Sequence, residues 1–207
     1  MPDPVELCWA PVTLGIRYPD NQMEFHLLYE GRLRANGDLK EKHSLRQCFH
    51  KQLRALWQQV PLAGRDELLA DPAPPGTGSV IRRVGEYKFA PLVCEALSLI
   101  CELDVLFLRP EPPGAVVTQG GDIDNRLKTL FDGLRMARLQ SEIPPGENPQ
   151  GDETPFFCLL EDDNLITRVN VATDRLLRTA VEPNAVVLVI RARTKAVKTT
   201  WANTGLA

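Results

Sequence analysis

The sequence predicts an α+β fold, a mixed β-sheet carrying two main helices, and three observations lead there. Short apolar or alternating segments recur along the chain, two stretches place apolar residues at helical 3- and 4-residue spacing, and no segment repeats. The 207 residues with 43% hydrophobic content suffice for one real core. A single domain over 1–207 is therefore expected, with long loops at about 61–80 and 140–155 and a basic C-terminal tail.

Met23 to Leu33 mixes alternation with bulky residues and runs into Ala35-Asn36-Gly37-Asp38, strong turn chemistry, so a strand should end near Arg34. Leu45, Cys48, Phe49, Leu53 and Leu56 then recur at helical spacing, with Lys42, His43, Arg46, His50, Lys51 and Arg54 between them. This spacing predicts an amphipathic helix with a basic outer face. Pro61 to Ser79 holds too many prolines and glycines for a regular element and is expected to be an extended loop. Leu97 to Arg109 is a long, β-rich run closed by prolines and predicts a central strand. A second helix follows Gly120-Gly121-Asp122-Ile123-Asp124-Asn125, its apolar stripe formed by Leu127, Leu130, Phe131 and Leu134. Ser141 to Pro155 is another irregular loop; Phe156 to Leu160, Leu165 to Val171 and Ala185 to Arg193 predict strands, and the tail from Thr194 is expected to be loose.

The first residues carry acids and prolines where a secretory signal carries a basic and then an apolar block. Five cysteines, an odd number without a C-x-x-C pair, fit buried thiols in a reducing compartment. Glu95, Glu102 and Asp104 interrupt the most apolar stretch and argue against a membrane span. The expected location is the cytoplasm. The formal charge of −3 is not that of a general nucleic-acid binder, but it hides local asymmetry. Lys40, Lys42, Arg46, Lys51 and Arg54 oppose only Glu41 on the first helix, and Arg191, Arg193, Lys195, Lys198 and Trp201 form a second basic stretch. Pro74 to Ser79 lacks the leading Gly, the Lys and the preceding strand of a phosphate loop. With three histidines and no ligand spacing, zinc is not expected.

Acids carry the chemistry. Asp122 and Asp124, two apart at a loop-to-helix junction, can present carboxylates around one point to a hard cation. Glu161-Asp162-Asp163-Asn164 supplies a third acid from a turn between strands. Such an ion would polarise a phosphate, acidify a bound water and screen the leaving oxygen. Lys128 lies one turn beyond Asp124 on the same face, with Asp132 a further turn along. Each piece has a plainer account: Asp124 as a helix cap, the acidic turn as a solvated loop, Lys128 and Asp132 as an i,i+4 pair.

The ordered combination Asp122-Ile-Asp124-Asn125-x-x-Lys128-x-x-x-Asp132-Gly-Leu134, followed by Glu161-Asp162-Asp163 and an apolar strand, resembles the RusA family of Holliday junction resolvases. The likeness covers Leu99 to about Val171 and is architectural only from Met23 to Gln59. It implies that Asp122, Asp124 and Asp163 are the metal carboxylates, with Asp162 or Glu161 as the neighbouring acid and Lys128 beside the phosphate. Which of Asp162 and Asp163 faces the ion is left open by the long Gln140–Pro155 connection. The resemblance further implies Mg²⁺, with Mn²⁺ as a substitute, a homodimer, and branched DNA as substrate. Lys42, Arg46, Lys51, Arg54 and Lys128 are the expected nucleic-acid contacts, and the long loops are candidate surfaces for a protein partner. The alternatives are a catalytically silent binding module of this fold, or a metal-dependent nuclease with another DNA or RNA substrate in a mobile-element or defence system.

Overall fold

The computed structural model describes residues 22–73, 78–110, 122–178 and 185–206. Strand β1 (Glu24–Arg32) leads through a turn into helix α1 (Leu39–Trp57). Asp38 caps that helix by accepting from the Glu41 amide at 2.9 Å, and the Glu41 carboxylate accepts from the Arg34 amide. Strands β2 (Arg82–Val84) and β3 (Tyr87–Val93) form a hairpin. Its turn needs Gly85, which has φ +56° and lies so close to Gln140 that a Cβ would meet the amide oxygen at 1.7 Å. Strand β4 (Leu99–Arg109), helix α2 (Asp122–Leu134), and strands β5 (Phe156–Leu160), β6 (Ile166–Arg175) and β7 (Ala185–Ala196) complete the chain.

The expected α+β class with two main helices holds, and the strands divide between two mixed sheets. The larger has the order β1-β7-β4-β6, antiparallel except between β4 and β6; the smaller is β2-β3-β5, with β3 and β5 parallel. Alternation decides the larger sheet's faces. Phe25, Leu27, Leu103, Val105, Phe107, Leu188 and Ile190 are buried, while Glu24, Glu102, Asp104, Arg191 and Arg193 project from the other side. Leu45, Phe49, Leu53 and Leu56 of α1, with Leu130 and Leu134 of α2, close over the buried face. Each such side chain contributes about 1.5–3 kcal/mol. Helix α1 meets the outer edge of β1 at Leu28: the Gln52 amide donates to Leu28 O at 2.7 Å and accepts from Leu28 N at 2.9 Å.

The smaller sheet, with β3 unforeseen in the sequence, covers a second side of α1. His43, Arg46 and His50, expected on its basic outer face, are consequently buried. His50 Nδ1 accepts from the Phe157 amide at 2.9 Å, and its ring centre lies 4.6 Å from that of Phe156. Burial pushes both imidazoles below their ordinary pKa, so both are held neutral.

The expected loop at 61–80 contains a 3-10 turn at Asp66–Leu69, and the tail is docked rather than loose. Leu206 is buried, Asn203 donates to Leu97 O and Lys198 O, and Arg65 donates to Ala202 O and Thr204 O. Trp201 is left 95% exposed on this fixed turn. Among the described residues no helix is long and apolar enough to cross a membrane. Cys94, Cys101 and Cys158 are buried thiols, Cys48 is half-buried, and Cys8 lies outside the described residues.

Candidate functional site

Helix α2 carries the first group of expected site residues. Leu130 and Leu134 anchor it in the core, and Arg126 and Thr129 tie its first turns to the end of β1. Arg126 donates to Leu33 O, and Thr129 Oγ1 accepts from Gly37 N at 2.9 Å. Asp124 and Lys128 face water. The Asp122 side chain lies outside the described residues. Because four residues advance a helix by about 40° beyond a full turn, the Asp124–Lys128 stripe drifts towards α1 as it continues. Asp132 is accordingly buried, 2.8 Å from Lys42 Nζ and 2.7 Å from Arg135 Nη2. Burial raises the Asp132 pKa, but the Lys42 hydrogen bond and the Arg135 charge outweigh it and hold the carboxyl below the usual range. Arg135 also reaches Glu142 at 2.7 Å.

The acidic turn joins β5 to β6 as expected, and its three acids do different things. Glu161 spends both carboxylate oxygens on the fold, Oε1 on Arg82 Nε at 2.6 Å and Oε2 on Glu95 N at 2.9 Å. Its backbone amide donates to Val93 O. The resemblance offered Glu161 as a neighbouring acid; the structure assigns it to holding the hairpin strands to β5. Asp162 caps the short turn by accepting from Asn164 N at 3.0 Å and is also paired with Arg138. Burial raises its pKa, but the Asn164 amide, Asp163 and Arg138 together outweigh that and leave it below the usual carboxylate range. Asp163 is exposed and lies 2.7 Å from the same Arg138 guanidinium. Sequence reasoning missed Arg138. Nothing in the spacing signals it, because the whole proline- and glycine-rich loop separates it from its partners.

These groups stand at opposite ends of the larger sheet. The Arg126 bond fixes the start of α2 beside Leu33, where β1 and β4 both end, since Glu30 pairs with Val187 and Val187 with Leu108. The acidic turn enters β6 at Ile166, which pairs with Cys101 near the start of β4. From Cys101 to Arg109 is about 26 Å of strand. The helix agrees: Arg135 bridges Leu160, just before the acidic turn, and about 16 Å of helix axis separates Asp124 from Arg135. Among the described residues no three His, Cys, Asp or Glu side chains converge as a metal site. Within one chain, the described carboxylates at these positions do not fit one shared ion.

The expected nucleic-acid contacts also sort by burial. Arg46 is 2% exposed and donates to Arg135 O and Glu142 O at 3.1 Å each, so its guanidinium serves the fold rather than a phosphate. Lys42 is tied to Asp132, and Arg54 to Asp152 at 2.6 Å. Lys51 and Lys128 are exposed. Lys51, Lys40, Arg32 and Arg34 line a groove of about 290 Å³ between β1 and α1, together with Glu30, Asp38 and Glu41. The second basic stretch is largely spent on cross-strand pairs, Arg191 with Glu24, Arg193 with Asp104, and Lys195 with Glu102. No protein-family model, no curated protein and no solved structure matches this chain.

Proposed function

We propose that the chain is a Mg²⁺-dependent endonuclease acting on branched DNA. One observation carries this: Asp124 and Lys128, the part of the resolvase-like motif with described side chains, share an exposed face at the start of α2, while neighbouring Asp132 is withdrawn into the fold. A helix needs neither charge there for packing, and an acid beside a cation suits a phosphodiester. Lys128 would neutralise charge on the phosphate; Asp122 and Asp124 are the proposed metal acids, and Asp163, at the far end of the same chain's sheet, would need a second copy to join them. Lys51 and Lys40 supply further cationic surface along α1. Incubating the protein with a labelled four-way junction tests the proposal. Nicking that needs Mg²⁺ or Mn²⁺ and is lost in Asp124→Asn is expected; undiminished nicking by that variant removes Asp124 from the reaction.

A second reading, a binding module that recognises junctions without cutting them, is favoured by Arg138. Its guanidinium neutralises both Asp162 and Asp163, leaving the acidic turn less free to hold a cation. Salt-sensitive junction binding with no nicking in either metal would select this reading.

A further inference from the structure

The docked C-terminal turn buries one large apolar side chain and presents another. Leu206 is wholly buried, and its carbonyl accepts from Thr194 Oγ1 at 2.9 Å, whereas the larger Trp201 indole stands almost entirely in water. Tryptophan is highly buried on average, so a ring left out forgoes much apolar burial. Looseness does not account for it. Asn203 Nδ2 donates to Leu97 O at 2.8 Å and to Lys198 O at 2.7 Å, and Asn203 Oδ1 accepts from Thr200 N at 2.8 Å. Arg65 donates to Ala202 O at 2.7 Å. These bonds bracket position 201 on both sides and fix the backbone beneath the indole.

The residues around the ring narrow what it can take. Val197 is its exposed apolar companion on this segment, while Lys198, Thr199 and Thr204 are exposed and polar. A tryptophan that anchors a protein partner sits at the centre of a packed patch that excludes water, and this turn supplies almost none. A nucleobase asks for less: one open π face, and a cation for the phosphate beside it. Lys198 is exposed, and among the described residues no carboxylate pairs with it, unlike Arg191, Arg193 and Lys195 earlier in the same basic stretch. The turn also has a defined place. Leu97 anchors it through Asn203, and Glu95, two residues earlier, donates its amide to Glu161 of the acidic turn at 2.9 Å. Trp201 therefore stands at the acidic-turn end of the larger sheet.

We infer that Trp201 is a stacking platform for an unpaired nucleobase of a single strand, with Lys198 against the adjoining phosphate. This goes beyond the nuclease reading, because the platform holds a strand without cutting it. A ring on a fixed turn is already in place for stacking, so little conformational freedom is lost when a base arrives. Stacking accepts any base, since each has a π face, and the site selects unpaired over paired strands.

Titrating the full chain with a short oligodeoxythymidylate tests the platform. Tryptophan emission should be quenched saturably, and Trp201→Phe, which keeps a ring but not the indole, should still bind with that quenching gone. Trp201→Ala and Trp201→Leu offer no π face and should each weaken binding roughly 5- to 100-fold. Both should leave the slope of log affinity against log salt unchanged, whereas Lys198→Gln should lower it by about 0.7. The side chain is exposed, so the variants should melt with the wild type. An abasic strand of equal length, phosphates without bases, should bind the wild type no better than thymidylate binds Trp201→Ala. Absence of quenching at high micromolar strand, full affinity in Trp201→Ala or Trp201→Leu, or equal binding of the abasic strand each overturns the platform. An unchanged salt slope in Lys198→Gln removes Lys198 from it. Quenching in a wild type that never nicks a junction keeps the platform and removes the nuclease reading; nicking without quenching does the reverse.

Discussion

Replacing Asp132 by Ala separates an acid that holds the fold from acids proposed for chemistry. The variant removes ion pairs of 2.8 Å to Lys42 and 2.7 Å to Arg135. Deleting one partner of a buried pair costs about 3–5 kcal/mol. Here Lys42 keeps 25% of its side chain in water and Arg135 retains Glu142, which lowers the cost to about 2–4 kcal/mol. Ala returns up to about 0.7 kcal/mol of helix propensity. The net loss is roughly 2–3 kcal/mol, or a fall in Tm of about 5–10 °C for a chain of this size. Urea denaturation at neutral pH reads it as a lower midpoint with an unchanged slope. The folded-state pKa of Asp132 lies below its unfolded value, so its contribution is complete above about pH 4 and fades as the pH falls through the folded pKa. The gap between variant and wild type should therefore narrow in acid. A loss under about 1 kcal/mol at neutral pH would refute the structural role.

Other expectations follow from single contacts. Gly133→Ala should destabilise by about 1–2 kcal/mol despite its better helix propensity, because a Cβ there meets Leu45 Cβ at 2.6 Å where α1 and α2 cross; a stabilised variant would show that the helices part easily. His43 and His50 are neutral in the fold but take up protons below about pH 6.5 when unfolded, so stability should decline as the pH falls from there. His50→Asn, which keeps an acceptor for the Phe157 amide, should flatten that slope in thermal melts, and an unchanged slope contradicts the assignment. Arg138→Gln should tighten Mn²⁺ binding measured by calorimetry, since it removes the cation now held by Asp162 and Asp163; unchanged or weaker binding speaks against an ion at this turn.

Much of the fold was legible because periodicity reports the side that meets the main core. The α2 stripe of Leu127, Leu130, Phe131 and Leu134 and the run of β4 up to Arg109 were plain for that reason. Strand β3 was not, since both its faces are covered and Tyr87–Val93 lacks the alternation of a half-exposed strand. The same missing sheet explains the error over α1. His43, Arg46 and His50 look like a solvated basic face, and only a second layer with carbonyl, amide and aromatic partners makes them interior. For the candidate site, sequence order found the acids but not their separation. Asp124 and Asp163 are linked through a helix and a parallel strand that carry them to opposite ends of the sheet, a relation set by topology. Charge counts likewise could not show that Arg191, Arg193 and Lys195 are matched by acids on neighbouring strands.

The nuclease proposal meets its most direct test in a four-way junction labelled on each strand, incubated with the full chain in Mg²⁺ and in chelator. Paired nicks that appear only with the metal, and vanish in Asp124→Asn while junction binding survives, are the expected result. Intact strands with wild-type protein in both Mg²⁺ and Mn²⁺, or nicking that persists in chelator, would contradict it.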